Sequence, residues 1–181
     1  MFDMKLRMEL VPTQAHRRKV SSVLSQKTWA KISKRVRDLH DNKCQFCGAP
    51  AEHCHEVWEW IVKDGELHQR LVDLESVCSL CHDFKHYGRL IAMKMADRAA
   101  YVEKCAMKVN KLTYSELKSY ALKCFTAHHY ASQIPLGPMD ISCLTERSWR
   151  ETLDLTNEDL APLCEGRNDE YMKEKHAGEP E

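Results

Sequence analysis

Two Cys-x-x-Cys pairs constrain this chain more than any other feature. The first is Cys44-Gln45-Phe46-Cys47 and the second is Cys78-Ser79-Leu80-Cys81, about 30 residues further on. Each pair is a knuckle that presents two sulfurs to one metal, and two such knuckles form a four-thiolate zinc signature. Residues 44–47 and 78–81 must therefore meet, and the segment between them must fold back on itself. Compartment follows from the same residues. Residues 1–10 carry charges through what would be the apolar region of a signal peptide. No run approaches the ~18 apolar residues of a membrane helix. The expectation is a cytoplasmic chain without a membrane segment, where paired cysteines favour metal over disulfide. Of the nine cysteines, Cys54, Cys105, Cys124, Cys143 and Cys164 lie outside the knuckles; most of these read as small buried apolar residues.

Charge is distributed more tellingly than its zero sum. Residues 1–43 hold 11 Lys/Arg against 4 Asp/Glu, and residues 139–181 hold 5 against 12, giving +7 and −7. A basic front end suits a polyanion, so nucleic acid, with DNA preferred, is the expected partner. The acidic end reads as an interaction tail for a protein partner or as a solubilising one. With 43% hydrophobic and 30% charged residues over 181 positions, the chain can bury one good core or carry a metal-held module with helical flanks.

Residues 1–24 show no clear period, and Arg17-Arg18-Lys19 is a basic cluster able to touch phosphates. Ser25 reads as the N-cap of a helix to about Leu39, with Trp29, Ile32, Val36 and Leu39 on one stripe. Lys31, Lys34 and Arg35 lie off that stripe. Residues 51–61 and 67–77 read as two strands joined at Lys63-Asp64-Gly65-Glu66. A helix follows from Cys81, with Gly88 at its end or bend. Helical composition continues over 90–108, with Met93, Ala96, Ala100 and Val102 available for packing. Thr113-Tyr114-Ser115-Glu116 is a capping box for a helix to about Tyr130, whose apolar face is Leu117, Tyr120, Ala121, Cys124 and Phe125. Ile134–Pro138 is the candidate linker, and residues 166–181 have the composition of a disordered end. Trp58 and Trp60 share one strand face and read as core.

Histidines supply the rest. His53, His55, His82 and His86 are more than a structural zinc needs, and His82 and His86, four apart, share one helix face. Two imidazoles one turn apart can hold a divalent ion and leave positions open for other ligands. A neutral imidazole near pH 7 is also a suitable general base.

The order is knuckle, hairpin with histidines, knuckle, helix with His-x3-His. It resembles the HNH endonucleases, closely over residues 44–88 and loosely from Trp29 to Trp149. The resemblance implies an α+β fold in which a ββα-metal core with a four-cysteine zinc site is flanked by N- and C-terminal helices. Its expected divisions are a basic arm and helix (1–43), the module (44–90), a helical elaboration (91–138) and an acidic, partly disordered tail (139–181). It implies metal-dependent hydrolysis of phosphodiesters with His55 as general base and Asp73 in the place of the residue that orients it. Cys54, His82 and His86 fall on the positions of the catalytic-metal ligands. Cys54 stands where the family carries Asp or His, and Asp73 where it carries Asn. His53 or Glu56 takes the ligand place if a bulge shifts the strand. The structural metal would be zinc, and the catalytic one Mg²⁺, Mn²⁺, Ni²⁺ or Zn²⁺. Arg17, Arg18, Lys31, Lys34, Arg35, Lys85 and Arg89 are the candidate nucleic-acid contacts. The competing reading is an inactive zinc-braced module that binds nucleic acid or a protein.

Overall fold

The structure, a computed structural model, describes residues 4–164. Its centre is the hairpin of β1 (His53–Lys63) and β2 (Glu66–Val77). The turn between them forms as expected: Asp64 and Gly65 have φ of 53° and 82°, the pair of positive angles that a two-residue hairpin turn needs. The strands are antiparallel with one irregularity, since Val57 pairs with Asp73 while Trp58 pairs with Leu71. Val72 is the extra residue. This bulge lets Leu71 and Leu74 both serve the same buried cluster and advances the register of everything nearer the knuckles.

One face of the hairpin is covered by α1 (Val20–Val23), α2 (Gln26–Asp38) and the C-terminal elements. Ser25 caps α2 as expected, its Oγ accepting from the Thr28 amide at 3.0 Å. Ile32 and Val36 are buried and Trp29 packs against the same cluster, but Leu39 is exposed because the helix ends at Asp38. Cys54 and Trp58 from β1 join this cluster, with Leu153, Leu155 and Leu160 from the acidic end.

The expected linker is instead part of a strand. Leu136–Asp140 form β3, which runs parallel to β2 at the sheet edge. Gly137 is needed there, since a Cβ would stand 2.8 Å from the His68 ring. After β3 come α7 (Arg147–Leu153) and α8 (Asn157–Cys164), so the first part of the expected tail is folded. Residues 166–181, expected to be disordered, lie outside the described residues.

The opposite face carries α3 (Ser79–Lys85), α4 (Tyr87–Ala92), α5 (Ala96–Asn110) and α6 (Tyr114–Ala131). The break between α3 and α4 falls at His86, two residues before Gly88. The Thr113–Glu116 capping box is present, and the expected apolar face of α6 packs into this cluster. On α5 the buried residues are Ala99, Val102 and Ala106, while Met93, Ala96 and Ala100 are exposed.

The arm is the main departure from expectation. Met4, Leu6 and Met8 alternate into the second cluster with Phe84, Val102 and Leu117. Asn110 clamps the Leu6 backbone in both directions, at 2.8 and 2.9 Å. The Met8 amide donates to Tyr120 Oη at 2.9 Å. The Glu9 amide donates to the Lys85 carbonyl at 2.8 Å. The first described residues are thus core, with their intervening side chains turned elsewhere.

Candidate metal centre

The knuckles meet where the hairpin begins and ends. Cys44, Cys47, Cys78 and Cys81 place their sulfurs within 4.8 Å of one another, and the Cys47 and Cys78 sulfurs are 3.5 Å apart. Zn–S bonds of about 2.3 Å set tetrahedral sulfurs about 3.8 Å apart, so the donor set fits a metal such as zinc. A hydrogen bond from Cys81 pulls the Cys44 thiol down to about 4, as suits a thiolate ligand. Three of the four cysteines are buried and Cys47 is exposed. Cys105 of α5, one of the five cysteines outside the knuckles, has its sulfur 3.9 Å from that of Cys81.

Beside the thiols stands a second constellation. Strand alternation sends His53 and His55 to the face of the hairpin that meets α3, where His82 and His86 project one turn apart. His55, His82 and His86 hold nitrogens within 4.8 Å of one another, close enough for a metal ion. Their rings make edge contacts, with centroids 4.8–5.4 Å apart. His53 stacks on His82 at 4.7 Å. Burial, reinforced by the neighbouring imidazoles, lowers His82 to about 3 and His86 to about 4. Both rings are therefore neutral at physiological pH and free to use a lone pair as a ligand.

Carboxylates that sequence reasoning missed support His55. Its Nε2 lies 3.0 Å from Glu9 Oε2. The other Glu9 oxygen accepts from Lys85 Nζ at 2.5 Å, and Lys85 also pairs with Glu75 at 2.7 Å. Glu75 is the residue directly opposite His55 in the ladder. Burial pushes Glu9 up, but the bond from His55 and the charges of His55 and Lys85 outweigh it and hold Glu9 below the ordinary carboxylate value. Glu75 lacks the His55 bond, and burial leaves it raised. One sequence signal points here and one points away. Met4-Lys-Leu-Arg-Met-Glu9 alternates with period two, so an extended arm puts Glu9 opposite its apolar set. Counting back from the turn alone sets His55 against Leu74, and only the Val72 bulge brings Glu75 there.

Several expected site residues are placed differently. Asp73 is exposed, sits opposite Val57 and accepts from the Leu74 amide at 2.7 Å, so it does not orient His55. Cys54 points to the other face, into the cluster of α2 and the C-terminal helices. It stands apart from the three histidines because a residue adjacent to His55 in a strand must face away from it. Burial and the neighbouring Glu56 push its thiol up to about 12. Glu56 is on that same face, accepting from the Val20 amide at 2.9 Å, and burial raises it to about 7.

The expected nucleic-acid contacts divide likewise. Lys85 is 2% exposed and bound to two carboxylates, which removes it from any surface. Lys31 pairs with Asp159 at 3.0 Å, Lys34 with Asp38 at 2.5 Å, and Arg35 donates to the Thr152 carbonyl at 3.0 Å. The basic face of α2 thus meets acidic and carbonyl groups of its own chain. Arg18 donates to the Gly137 carbonyl, and Arg17 is exposed. Arg89 is exposed one turn beyond Lys85, close enough to lower both His82 and His86. Among the described residues no helix is long and apolar enough to cross a membrane. Comparison with protein families, curated proteins and solved structures returns no match.

Proposed function

We propose that this protein is a metal-dependent endonuclease of the HNH type, hydrolysing phosphodiester bonds in DNA. One observation carries the reading. A hairpin and the helix after it, tied by four thiols, bring His55 of β1 against His82 of α3 and His86 at its C-cap, with their ligand atoms within 4.8 Å. In this reading the four cysteines hold a structural zinc. His82 and His86 hold a divalent cation, which when bound supplies positive charge beside the scissile phosphate. His55 takes the proton of the attacking water, and Glu9 keeps its ring in place. Arg89 lies on the exposed side of the histidines, where it can meet the phosphate. With Cys54 turned away, the ligand set is all imidazole, which suits Mn²⁺, Ni²⁺ or Zn²⁺ better than Mg²⁺.

The same closeness supports a second reading, in which His55 is a third ligand and the domain is an inactive metal-braced binding module. Cleavage of plasmid DNA by zinc-replete protein, titrated with each divalent ion, separates the two. The endonuclease reading expects His55→Ala to lose about 10²–10⁴-fold in rate with cation affinity retained, and His86→Ala to demand more cation. Failure of the wild type to cut DNA with any ion, together with loss of cation binding in His55→Ala, would establish the module instead.

A further inference from the structure

We propose that Glu9 and Lys85 act as a polarity lock on His55, fixing it as the Nε2–H tautomer with its lone pair on Nδ1. The proposal rests on the endonuclease reading only where it predicts a rate. Its structural part stands on the hydrogen-bond directions inside a buried cluster, where Lys85 is 2% exposed and His55 3%.

The chain of constraint starts at Lys85. An ammonium has three donors and no acceptor, so the Glu9 oxygen 2.5 Å from its Nζ must accept. Glu75, 2.7 Å away on the other side, completes the hold on the ammonium. An ionised carboxylate offers only acceptors. His55 Nε2, 3.0 Å from the second Glu9 oxygen, must therefore donate. A neutral imidazole that donates from Nε2 carries its lone pair on Nδ1, which is the nitrogen left to take a proton. Glu9 has little freedom to leave, because its own amide is bonded to the Lys85 carbonyl at 2.8 Å and Met8 before it is anchored by Tyr120.

This wiring makes Glu9→Gln informative although it is nearly isosteric. The carboxamide has one acceptor and one donor end. Lys85 claims the oxygen, so the NH₂ group faces His55 Nε2, which must now accept. The tautomer inverts, and the lone pair leaves Nδ1. An amide in place of the carboxylate behind a catalytic histidine costs about 10⁴-fold in kcat through this wrong tautomer. Glu9 is in this sense a positioning residue, and Lys85 decides which way it reads.

The test uses full-length, zinc-replete protein labelled with ¹⁵N at histidine, at about pH 8 where imidazoles are ordinarily neutral. The His55 signals among the ten histidines are assigned by their loss in His55→Ala. Two-bond couplings should report Nε2–H in the wild type and Nδ1–H in Glu9→Gln, while Glu9→Gln with Lys85→Met, freed of the lock, should no longer be uniformly Nδ1–H. In plasmid cleavage Glu9→Gln should lose about 10⁴-fold in kcat with KM changed only a few-fold. A wild-type protein that shows Nδ1–H, an unchanged tautomer in Glu9→Gln, or full inversion persisting without Lys85 would each overturn the lock. Should Glu9→Gln not fold, the wild-type spectrum alone decides. A wild type that cuts nothing but shows the expected tautomers would sink the endonuclease reading and leave the lock standing.

Discussion

Lys85→Met tests the buried cluster as a matter of energy rather than chemistry. The side chains of Lys85, Glu75 and Glu9 are 3%, 17% and 20% exposed, so water screens this group weakly. Methionine fills the same length with no charge, leaving two buried carboxylates with only His55 to answer them. Breaking a buried ion pair by removing one partner costs about 3–5 kcal/mol. For a chain of this size that corresponds to a fall in Tm of roughly 6–20 °C. The sign with pH is distinctive. In the wild type, Glu9 sits below its unfolded value of 4.5, so its contribution is present above that value and lost as pH falls through the folded one. Glu75 is raised above 4.5 by burial, so it exacts a penalty that grows as pH rises through its folded value. The two partly cancel while Lys85 is present. Without Lys85 burial raises Glu75 further and Glu9 loses part of what opposes its own burial, so the penalty is largest at neutral pH and relieved by acid. Urea unfolding followed by tryptophan fluorescence at pH 7.5, 6 and 5 should show the gap between wild type and Lys85→Met narrowing on acidification. Adding Glu75→Gln should recover part of the loss. A gap below about 1 kcal/mol at pH 7.5, or one that widens with acid, would refute the reasoning.

Two further outcomes follow from the placement of the cysteines. Cys44→Ser should lose bound zinc and unfold residues 44–81 cooperatively, since in a metal-held module binding free energy is folding free energy; elemental analysis with a thermal melt checks this, and an unchanged melt would remove the brace. Cys54→Asp should leave the order of cation preference unchanged and destabilise the fold by about 2 kcal/mol or more, because it buries a second carboxyl beside Glu56; a shift in preference toward Mg²⁺ would return Cys54 to the ligand set.

What was legible in the sequence was what local chemistry decides. The Asp64-Gly65 turn, the Ser25 cap and the Thr113–Glu116 box each involve residues close in sequence and form as expected, and the paired spacing within each Cys-x-x-Cys is equally local. Misreadings arose where a residue's role depends on a partner far along the chain. Lys31 and Arg35 read as part of a free basic face because nothing near them in sequence shows Asp159 or the Thr152 carbonyl. Ile134–Pro138 read as a linker because two prolines and a glycine resemble a break. Yet β3 is an edge strand, where proline costs no ladder bond, and Gly137 is dictated by His68.

The Val72 bulge and the arm compose the site together, and neither suffices without the other. Shift β2 back by one residue and Leu74 would oppose His55, leaving Lys85 with Glu9 alone. Remove the arm and His55 would keep its place in the strand but lose the Glu9 carboxylate that its Nε2 meets at 3.0 Å. A single-residue irregularity at mid-hairpin and an alternating segment more than forty positions upstream of the strand thus converge on one imidazole. Their convergence is mediated by Lys85, the last residue of α3, directly before His86. That position is the least available to solvent in α3 among the charged residues, and the most consequential. A lysine there can neither reach the surface nor be replaced by an uncharged residue at no cost.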